Sequence, residues 1–520
     1  MSQINLSIFY YRILMLIILS LSTIIFPNTS PKYILLCIKE NNDNFRILES
    51  NKLGLTNDKS INEILKRYNI SSIGKWLNSA SENDTDGEIN LNKIFRVKLN
   101  DLNRINKNHL INELRQSPNI IAVEEEPIVK SFYSPNDTYY ESNFQCALRT
   151  INANKAWDIW KTYNLYPSSQ SVLLASVDSG VDYTHPDLVN NIWINQGEIP
   201  SNIYSLIDSD MDNFVSSAEL INYLTDFNSD GTINLKDVVE IGSPFIDGVD
   251  SDQNGFIDDI IGWDSSGNAN TESVTSNPNN NPFPDFSSND WSHGTHVAGI
   301  LGATSDNNEG IASVAFDVKI IPVKGARLNV SDNSSALYDT YDGMLYAAKA
   351  GYYANTFTII NCSWGSEIDN SFTVSNFQNS VINVIKNTYG AIIVAAAGNG
   401  IVDEDGNWTS EEKYTKFYPA SFENVISVAP VDCDGNWGGW ATYHPSVDIS
   451  APGEQIMSTT INGGYEAWTG SSMASPLVAS RLGLLKIFYP YLSNLELEDL
   501  LLSSTDSTIY NLTTNNAYSS

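Results

Sequence analysis

Short apolar runs recur through the second half of the chain, and stretches with helical spacing separate them. The runs lie at residues 172–177, 319–323, 357–360, 391–394 and 425–428. Because these runs are apolar on both faces and rich in β-branched residues, they are typical of buried parallel strands. Residues 336–349 and 377–387 have apolar positions three and four apart and predict helices between the strands. The pattern predicts an α/β fold with a doubly wound, mostly parallel sheet flanked by helices.

The N-terminal part of the chain has a different pattern, and 520 residues exceed what one hydrophobic core usually holds. Strand-like runs at 33–36, 95–99 and 120–123 accompany a stretch at 102–116 that has helical spacing. We therefore predict a small α+β domain over residues 31–131, ahead of a larger domain. Short patterns of this kind recur widely, so the alternative is a small domain with no functional relation to the larger one.

An apolar run from residue 13 to residue 26 follows Arg12 and contains no charged side chain. It is shorter than the roughly 20 residues that span a bilayer, so residues 1–30 are predicted to be a secretory signal peptide. The protein is then secreted, with no stable membrane association once the signal is removed. The run lacks a clean small-residue cleavage site, which leaves an uncleaved membrane anchor as the alternative.

The four cysteines, Cys37, Cys146, Cys362 and Cys433, show no C-x-x-C spacing. Cys37 would be lost with N-terminal processing. The three cysteines that remain allow at most one disulfide and one free thiol.

Charge is distributed unevenly along the chain. Residues 31–131 carry 15 Lys/Arg and 14 Asp/Glu, whereas residues 132–520 carry 13 and 47. The acidity therefore belongs to the larger domain. It argues against nucleic acid as a partner, because nucleic-acid binding needs a basic face, and it is typical of a solubilising surface.

A turn of small residues at 470–476 (GSSMASP) runs directly into an apolar stretch, and its centre, Ser472, is a candidate nucleophile. Small neighbours let another backbone approach closely. A helix starting there would point unpaired N–H groups and its positive dipole end towards the serine. Such turns also serve as ordinary helix caps, so this pattern needs support from a base and an orienting acid.

Among the five histidines, His293 and His296 stand out because they lie in residues 292–299 (SHGTHVAG), where small residues let a helix pack tightly. His293 is predicted to be the base at the N-terminal end of that helix. The orienting carboxylate is Asp178, at the end of the strand-like run 172–177 and before a Ser-Gly turn. The order along the chain is then Asp, His, Ser.

This order and these sequence contexts resemble the subtilisin-like serine proteases, the subtilases. Residues 177–180 (VDSG) and 185–188 (HPDL) are similar to the family's aspartate block, and the histidine and serine blocks match likewise. The resemblance covers roughly residues 140–490. It departs at Ser471, Leu477 and Ser480, which are usually Thr, His and Gly in the family; none of these belongs to the triad.

The resemblance implies a serine endopeptidase that hydrolyses protein or peptide substrates through an acyl-enzyme. Residues 395–399 (AAAGN) are similar to the family segment whose asparagine, here Asn399, donates to the oxyanion. Residues 361–365 (NCSWG) are similar to the strand that pairs with substrate, here through Ser363, Trp364 and Gly365.

The resemblance also implies a domain organisation. Residues 31–131 would be a propeptide that acts as intramolecular inhibitor and folding chaperone in a self-processing zymogen. The catalytic domain would extend over residues 140–505, followed by a polar tail at 506–520.

Segment 200–264 is unusually acidic, with 14 Asp/Glu and one lysine, Lys236. Residues 208–219 and 226–237 have oxygen-bearing side chains at positions 1, 3, 5 and 12 of an EF-hand loop, and residues 250–259 form a third acidic loop. The predicted calcium ligands are Asp208, Asp210, Asp212, Glu219, Asp226, Asn228, Asp230, Asp237, Asp250, Asp252, Asn254 and Asp258.

The segment resembles an EF-hand or dockerin-type insertion in the catalytic domain, with calcium as the cofactor. The alternative is solvated acidic loops without metal. By resemblance to a structural calcium site of the family, a further cation site involves Asp187 and the turn at residues 306–307.

Two other functions are compatible with parts of the sequence. A zinc hydrolase using His293 and His296 would need a glutamate base as in H-E-x-x-H, but Gly294 and Thr295 lie between the two histidines. A catalytically inactive, calcium-dependent adhesion or scaffold protein would retain the fold and use the acidic loops instead.

Overall fold

The structure is a computed structural model of the chain. It describes residues 33–39, 47–48, 55–68, 70, 72–99, 104–126, 133–142, 144–163, 172–367, 376–400, 415–437 and 440–506. Contacts within the chain divide it into two compact units, Met1–Ser131 and Phe132–Ser520. The predicted signal peptide and all but the first residue of the predicted tail lie outside the described residues.

The first unit contains the small α+β fold that its pattern predicts. Its elements are strands β1 (Tyr33–Ile38), β2 (Ile47–Leu48), β3 (Leu55–Thr56), β4 (Ser72–Lys75), β5 (Thr85–Asp86), β6 (Ile89–Asn90), β7 (Ile94–Lys98) and β8 (Ile120–Glu125), with helices α1 (Lys59–Arg67) and α2 (Arg104–Arg115). Four strands form an antiparallel sheet in the order β4-β7-β1-β8. Ile34, Val97 and Leu110 are fully buried in its core, which joins the sheet to both helices.

The second unit is built on a seven-stranded sheet in which every neighbouring pair is parallel. The strands of the whole unit are β9 (Val172–Asp178), β10 (Trp263–Asp264), β11 (Lys319–Lys324), β12 (Ala326–Leu328), β13 (Ser335–Leu337), β14 (Phe357–Cys362), β15 (Ser366–Glu367), β16 (Ile392–Ala396), β17 (Phe417–Tyr418), β18 (Val425–Val431), β19 (Ile449–Pro452), β20 (Ile456–Thr460) and β21 (Gly464–Trp468). The order in the sheet is β10-β11-β9-β14-β16-β18-β19. The remaining strands form two-stranded antiparallel ribbons.

Helices cover both faces of this sheet. They are α3 (Thr138–Glu141), α4 (Cys146–Thr150), α5 (Ala153–Tyr163), α6 (Ser201–Ile207), α7 (Ser217–Tyr223), α8 (Asn289–Gly302), α9 (Thr340–Tyr353), α10 (Asn376–Asn387), α11 (Ser471–Phe488) and α12 (Asn494–Ser503). Val297 of α8 and Leu482 of α11 share one core with Leu174 of β9, and Met344 of α9 shares the opposite core with Leu173. Because successive strand residues point to opposite faces, both faces of β9 are buried. The predicted doubly wound α/β fold is confirmed.

One predicted helix begins in the wrong place. Its predicted range was 336–349, but Ser335–Leu337 form β13, and α9 starts only at Thr340. Ala336 pairs with Arg327 in the antiparallel ribbon of β12 and β13. The helical spacing extends into residues whose backbone pairs with a strand, so tertiary pairing overrides the local pattern.

The acidic insertion is part of the larger unit's core rather than a separate module. Ile203, Leu220 and Leu235 are buried in one cluster with Ala298 of α8 and Ile320 of β11. Helix α7 follows the first EF-hand-like loop and begins with a capping box of Ser216 and Glu219. The second EF-hand-like loop ends in a single 3-10 turn, Leu235–Asp237, instead of an α-helix. Segment 200–264 therefore packs directly on α8, the helix that contains His293, and on β11.

Cys146 and Cys433 form a disulfide between the start of α4 and the loop after β18. Cys37 and Cys362 are free and buried. None of the helices in the described ranges has both the length and the hydrophobicity that a bilayer span requires.

Candidate active site

Asp178 and His293 meet at the carboxyl edge of the parallel sheet, where open α/β sheets place their sites. Asp178 is the last residue of β9 and is fully buried. His293 lies in the second turn of α8, and 25% of its side chain is exposed. The Nδ1 atom of His293 is 2.7 Å from Oδ1 of Asp178. A carboxylate at this nitrogen fixes the imidazole tautomer and leaves Nε2 as the proton acceptor.

Two opposing effects act on the pKa of His293. Burial lowers the pKa, whereas the charge of Asp178 and its hydrogen bond raise it, and the net result is a raised pKa. The ring is therefore stabilised in its protonated form. A general base needs this property once it has accepted a proton.

Close packing brings the histidine helix to the end of β9. A Cβ atom on Gly294 would lie 2.3 Å from the carbonyl oxygen of Gly180 and 2.9 Å from Cβ of Asp178. Any side chain at this position would push α8 away from the strand end. The glycine that follows His293 is thus required by the geometry of the Asp–His pair.

Ser472 lies in the first turn of α11, which begins at Ser471 after an extended Gly470 (φ 165°, ψ 162°). Its hydroxyl donates to the carbonyl oxygen of Ser363 at 2.9 Å. Within the described part of the chain, that hydroxyl makes no hydrogen bond to His293. The structure thus joins Asp178 and His293 directly and leaves the serine hydroxyl turned towards a neighbouring strand end. Catalytic hydrogen bonds are often long or misaligned in ligand-free sites and tighten when substrate binds.

Asn399 follows β16 and lies against the start of α11. Its Oδ1 accepts the backbone N–H and the hydroxyl of Ser471, both at 2.8 Å. These two bonds orient the amide so that Nδ2 faces away from Ser471. A Cβ atom built on Gly470 would lie 3.4 Å from this Nδ2 and 3.7 Å from the backbone nitrogen of Ser472. The side-chain amide nitrogen of Asn399 and the backbone nitrogen of Ser472 therefore both lie close to one point beside Gly470.

The predicted substrate-binding segment connects β14 to β15. The Ser363 side chain is buried, and its hydroxyl donates to the carbonyl oxygen of Ser472 at 2.8 Å. The indole N–H of Trp364 donates to the carbonyl oxygen of Val177 at 2.8 Å, and Gly365 is half-buried. These bonds hold the segment between the ends of β9 and α11.

His296 has a structural environment that does not suit a metal ligand. It is fully buried, its Nε2 lies 3.0 Å from the carbonyl oxygen of Glu466, and its ring stacks on Trp468 with centroids 4.3 Å apart. Burial lowers the pKa of His296 to about 3, so the ring is neutral and Nε2 donates. Among the described residues, His293 and His296 belong to no group of three metal-ligating side chains, and a zinc site needs at least three.

Two groups of carboxylates in the described residues could hold a metal ion. In each group the oxygen atoms all lie within 4.8 Å of one another. The first acidic group is Asp208, Asp210 and Asp212, and the second acidic group is Glu198, Asp250 and Asp252. Clustered carboxylate oxygens are the ligands that calcium prefers.

In the first acidic group, one buried carboxylate oxygen has no hydrogen-bond partner among the described residues. Oδ1 of Asp208 is buried without a hydrogen bond, and Oδ2 accepts the N–H of Asn213 at 3.2 Å. The predicted ligand Glu219 lies outside the group. Its carboxylate accepts the N–H groups of Ser209 and Ser216 at 2.8 and 2.9 Å.

The second EF-hand-like loop has its carboxylates bonded to its own backbone. Asp226 accepts the N–H groups of Asp230 and Gly231 at 3.1 and 3.0 Å. Asp237 accepts those of Phe227 and Asn234 at 2.7 and 2.9 Å. This loop does not bring three carboxylates together as the two acidic groups do.

In the second acidic group, Glu198 is a residue that the sequence reasoning missed. It is buried, and its carboxylate accepts the N–H groups of Ser251 and Asp252 at 2.7 and 3.0 Å. Burial raises the pKa of Glu198 to about 7. The predicted ligand Asp258 instead anchors the turn at Gly248, whose N–H it accepts at 3.1 Å. The only sequence signal for Glu198 is that it is the one charged residue between Asp187 and Asp208.

Asp187, the residue predicted for a further cation site, is buried and accepts the side-chain amide of Asn307 at 2.8 Å and the N–H of Ile311 at 2.9 Å. Burial raises its pKa to about 7. Asp137 is also buried, and it accepts the N–H of Asp306 in the same turn at 2.9 Å. Sequence reasoning did not select Asp137, because it lies 50 residues before Asp187 in a segment without acidic spacing.

Fold and site together define a serine-type endopeptidase, a hydrolase with an α/β fold. The family model of the subtilase family (Peptidase_S8) matches residues 169–519. The chain therefore belongs to the subtilase family.

Three relatives show how the chain compares with known family members. It is 28% identical over 394 residues to a thermophilic serine proteinase of Bacillus sp. (strain AK1), covering 76% of this chain and 70% of that protein. It is 29% identical over 355 residues to thermitase of Thermoactinomyces vulgaris, covering 68% and 85%. It is 28% identical over 405 residues to an extracellular protease of Xanthomonas campestris pv. campestris, covering 75% of this chain but only 56% of that protein.

Proposed function

We propose that the protein is a secreted, calcium-stabilised endopeptidase whose catalytic triad is Asp178, His293 and Ser472. The observation that carries the proposal is the 2.7 Å contact between Asp178 and His293 at the sheet edge to which α11 brings Ser472. Membership of a serine-protease family supports the same reaction.

In the proposed mechanism, His293 accepts the hydroxyl proton of Ser472 as Oγ attacks the substrate carbonyl carbon. Asp178 stabilises the imidazolium that forms. The N–H groups of Asn399 and Ser472 hold the oxyanion, and His293 then donates its proton to the leaving amine. Water releases the acyl group by the same transfers in reverse order, which regenerates the Ser472 hydroxyl.

Substrate is proposed to bind as an extended strand along residues 363–365, with the backbone supplying hydrogen bonds. The Ser363 carbonyl accepts the Ser472 hydroxyl in this structure. When that hydroxyl turns to His293, the carbonyl becomes available to a substrate N–H. Binding and activation of the nucleophile are then linked through one oxygen atom.

Labelling with a serine-directed phosphonate tests the proposal. We expect one covalent adduct per chain on Ser472, located by peptide mass spectrometry, and no adduct in Ser472→Ala. A peptidase assay on the same samples should lose activity in step with labelling. Absence of labelling in folded protein would favour the inactive adhesion or scaffold alternative.

The zymogen proposal concerns residues 31–131, and it is supported by the small α+β fold and separate core of this segment. If the enzyme removes this segment itself, Ser472→Ala should accumulate as a longer species with the segment attached. Adding active enzyme to that variant should restore trimming. Normal trimming of purified Ser472→Ala alone would assign processing to another protease.

The calcium proposal places ions at the first and second acidic groups, with the second EF-hand-like loop and the Asp187 site as further candidates. The unpartnered Oδ1 of Asp208 and the buried carboxylate of Glu198 are oxygen donors that fit a hard cation. Bound calcium would neutralise the facing carboxylates. Calorimetric titration of chelator-treated protein should reveal more than one calcium site, and one of these should be lost when Asp208 and Asp210 are replaced by alanine.

Secretion is supported by the apolar run at residues 13–26 and by the Cys146–Cys433 disulfide, because disulfides persist in oxidising compartments. The test is N-terminal sequencing of protein recovered from the medium and from membranes. A medium form that starts after residue 30 supports secretion. Retention of the whole protein in the membrane fraction would favour the uncleaved anchor.

A further inference from the structure

The residue after the triad aspartate makes contacts that the proposed proton transfers do not use. Ser179 is 1% exposed and lies at the end of β9. Its hydroxyl donates to the carbonyl oxygen of Trp291 at 2.9 Å and accepts the backbone N–H of Gly294 at 3.0 Å. Trp291 and Gly294 lie on either side of His293 in α8. One hydroxyl therefore brackets the helical turn that carries the catalytic base.

The same residue also contacts the carboxylate. The backbone N–H of Ser179 donates to Oδ1 of Asp178 at 2.7 Å, and this oxygen also faces Nδ1 of His293. The hydroxyl can donate only one hydrogen bond, and it donates that bond to the carbonyl oxygen of Trp291. It therefore has no hydrogen bond to donate to substrate. Ser179 thus connects both partners of the Asp–His pair without reaching the reacting atoms.

We propose that Ser179 is a positioning residue. Its hydroxyl fixes the turn of α8 that contains His293, so that Nδ1 of His293 stays within hydrogen-bond distance of the Asp178 carboxylate. The inference rests on the proposed triad, in which that contact orients the base. A displacement of about 1 Å in an active site can lower the rate on the order of 100-fold, so loss of this link is expected to affect the chemical step.

The test compares Ser179→Thr with Ser179→Val, because threonine and valine have nearly the same shape and differ in the hydroxyl. We expect Ser179→Val to lower kcat about 10-fold to 100-fold with little change in KM, since substrate does not touch Ser179. Ser179→Thr should restore most of the lost activity. Ser179→Ala provides the same comparison without added volume.

A pH profile separates positioning from general weakening. Asp178 is the charged group that faces His293, while neutral His296 lies on the same helix and the buried thiol of Cys362 faces Asp178. Since Asp178 raises the pKa of His293, a loosened contact should move the acid limb of kcat/KM to lower pH in Ser179→Val. The limb should stay in place in Ser179→Thr. In an inactive Ser472→Ala background, the downfield Nδ1–H proton resonance of His293 should weaken in the valine variant only.

Ser458→Ala is the matched control. The Ser458 hydroxyl is also buried and donates to a carbonyl of α8, that of His296 at 2.7 Å, but it comes from β20 and does not contact Asp178. We expect it to lower the melting temperature without moving the pH profile. If Ser179→Val and Ser179→Ala keep the wild-type kcat and acid limb, or if Ser458→Ala shifts that limb equally, the positioning role is wrong.

The two proposals fail in different ways. If wild-type protein has no peptidase activity, or if Ser472→Ala retains it, the proposed triad is wrong. If Ser472→Ala is inactive while the Ser179 variants behave as wild type, only the inference on Ser179 is overturned.

Discussion

The catalytic edge of the sheet and the acidic insertion provide partners for their polar groups in different ways. At the catalytic edge, Asp178 lies 2.7 Å from the imidazole of His293, and the side-chain oxygen Oδ1 of Asn399 accepts two hydrogen bonds from Ser471. In the insertion, carboxylates face one another within 4.8 Å, and Lys236 is the only cationic side chain between residues 200 and 264.

At the catalytic edge the protein's own side chains pair the polar groups, whereas in the insertion the carboxylates need a bound cation to balance their charge. Two like charges 4 Å apart repel by about 1 kcal/mol even in water, and by more where solvent is excluded. The catalytic edge is organised by side chains that the protein itself supplies. The insertion has carboxylates that a bound cation would bring together, and it shares a buried cluster with α8 and β11.

The largest effect is expected from Asp178→Asn, which removes the charge but keeps the shape. Activity should fall by about 10⁴-fold, because the amide no longer holds the productive tautomer or stabilises the imidazolium. Loss of the carboxylate should also lower the pKa of His293. Since only unprotonated His293 can act as the base, the acid limb of the residual kcat/KM should move to lower pH. An unchanged profile would separate Asp178 from His293 in the mechanism.

A smaller effect is expected at the oxyanion donors. Asn399→Ala should lower kcat by about 10²–10³-fold with little change in KM, the size found when this donor is removed from subtilisin. Ser471→Ala should lower kcat less than Asn399→Ala does, because the backbone N–H of residue 471 still donates one of the two hydrogen bonds to Asn399. In the double variant the two losses should not add, since Ser471 acts through Asn399. Additive losses would show that the Ser471 hydroxyl acts independently.

Removal of calcium should affect stability before chemistry. A ligand that binds only the folded state at a hundredfold excess over its Kd adds about 2.7 kcal/mol to the free energy of unfolding. Chelation should therefore lower the melting temperature and speed autolysis. Melting is best measured in Ser472→Ala, where no autolysis occurs. Identical melting with and without chelator would show that the acidic loops are solvated and that the metal assignments are wrong.

The smallest effect is expected from the second EF-hand-like loop. Asp226→Ala with Asp230→Ala should reproduce part of the loss caused by chelation, and calcium should still stabilise this variant through the remaining sites. The matched variant is Asp208→Ala with Asp210→Ala in the first acidic group, where one carboxylate oxygen lacks a partner. We expect the melting temperature to fall further in Asp208→Ala with Asp210→Ala than in Asp226→Ala with Asp230→Ala. Equal calcium responses in wild type and both variants would place binding elsewhere in the chain.

The sequence predicted the fold because apolar periodicity is a local signal, and it predicted the Asp178–His293 pair because the residues around each resemble the subtilase blocks. Apolar runs of β-branched residues predicted the parallel strands, and the Ser-Gly turn after Asp178 predicted a strand end. Prediction of the second acidic group was incomplete, because Glu198 joins Asp250 from 52 residues earlier in the chain. No local pattern carries that contact.

The amino-acid sequence by itself determined which residue types were available for catalysis and on which kinds of element they lie. Tertiary structure decided what those residues contact. It directs the Ser472 hydroxyl to Ser363, makes Glu219 a helix cap, and places the Ser179 hydroxyl across the His293 turn. The physical reason is that periodicity and turn chemistry act over a few residues. Hydrogen-bond partners and facing charges are set by the packing of segments that lie far apart in the chain.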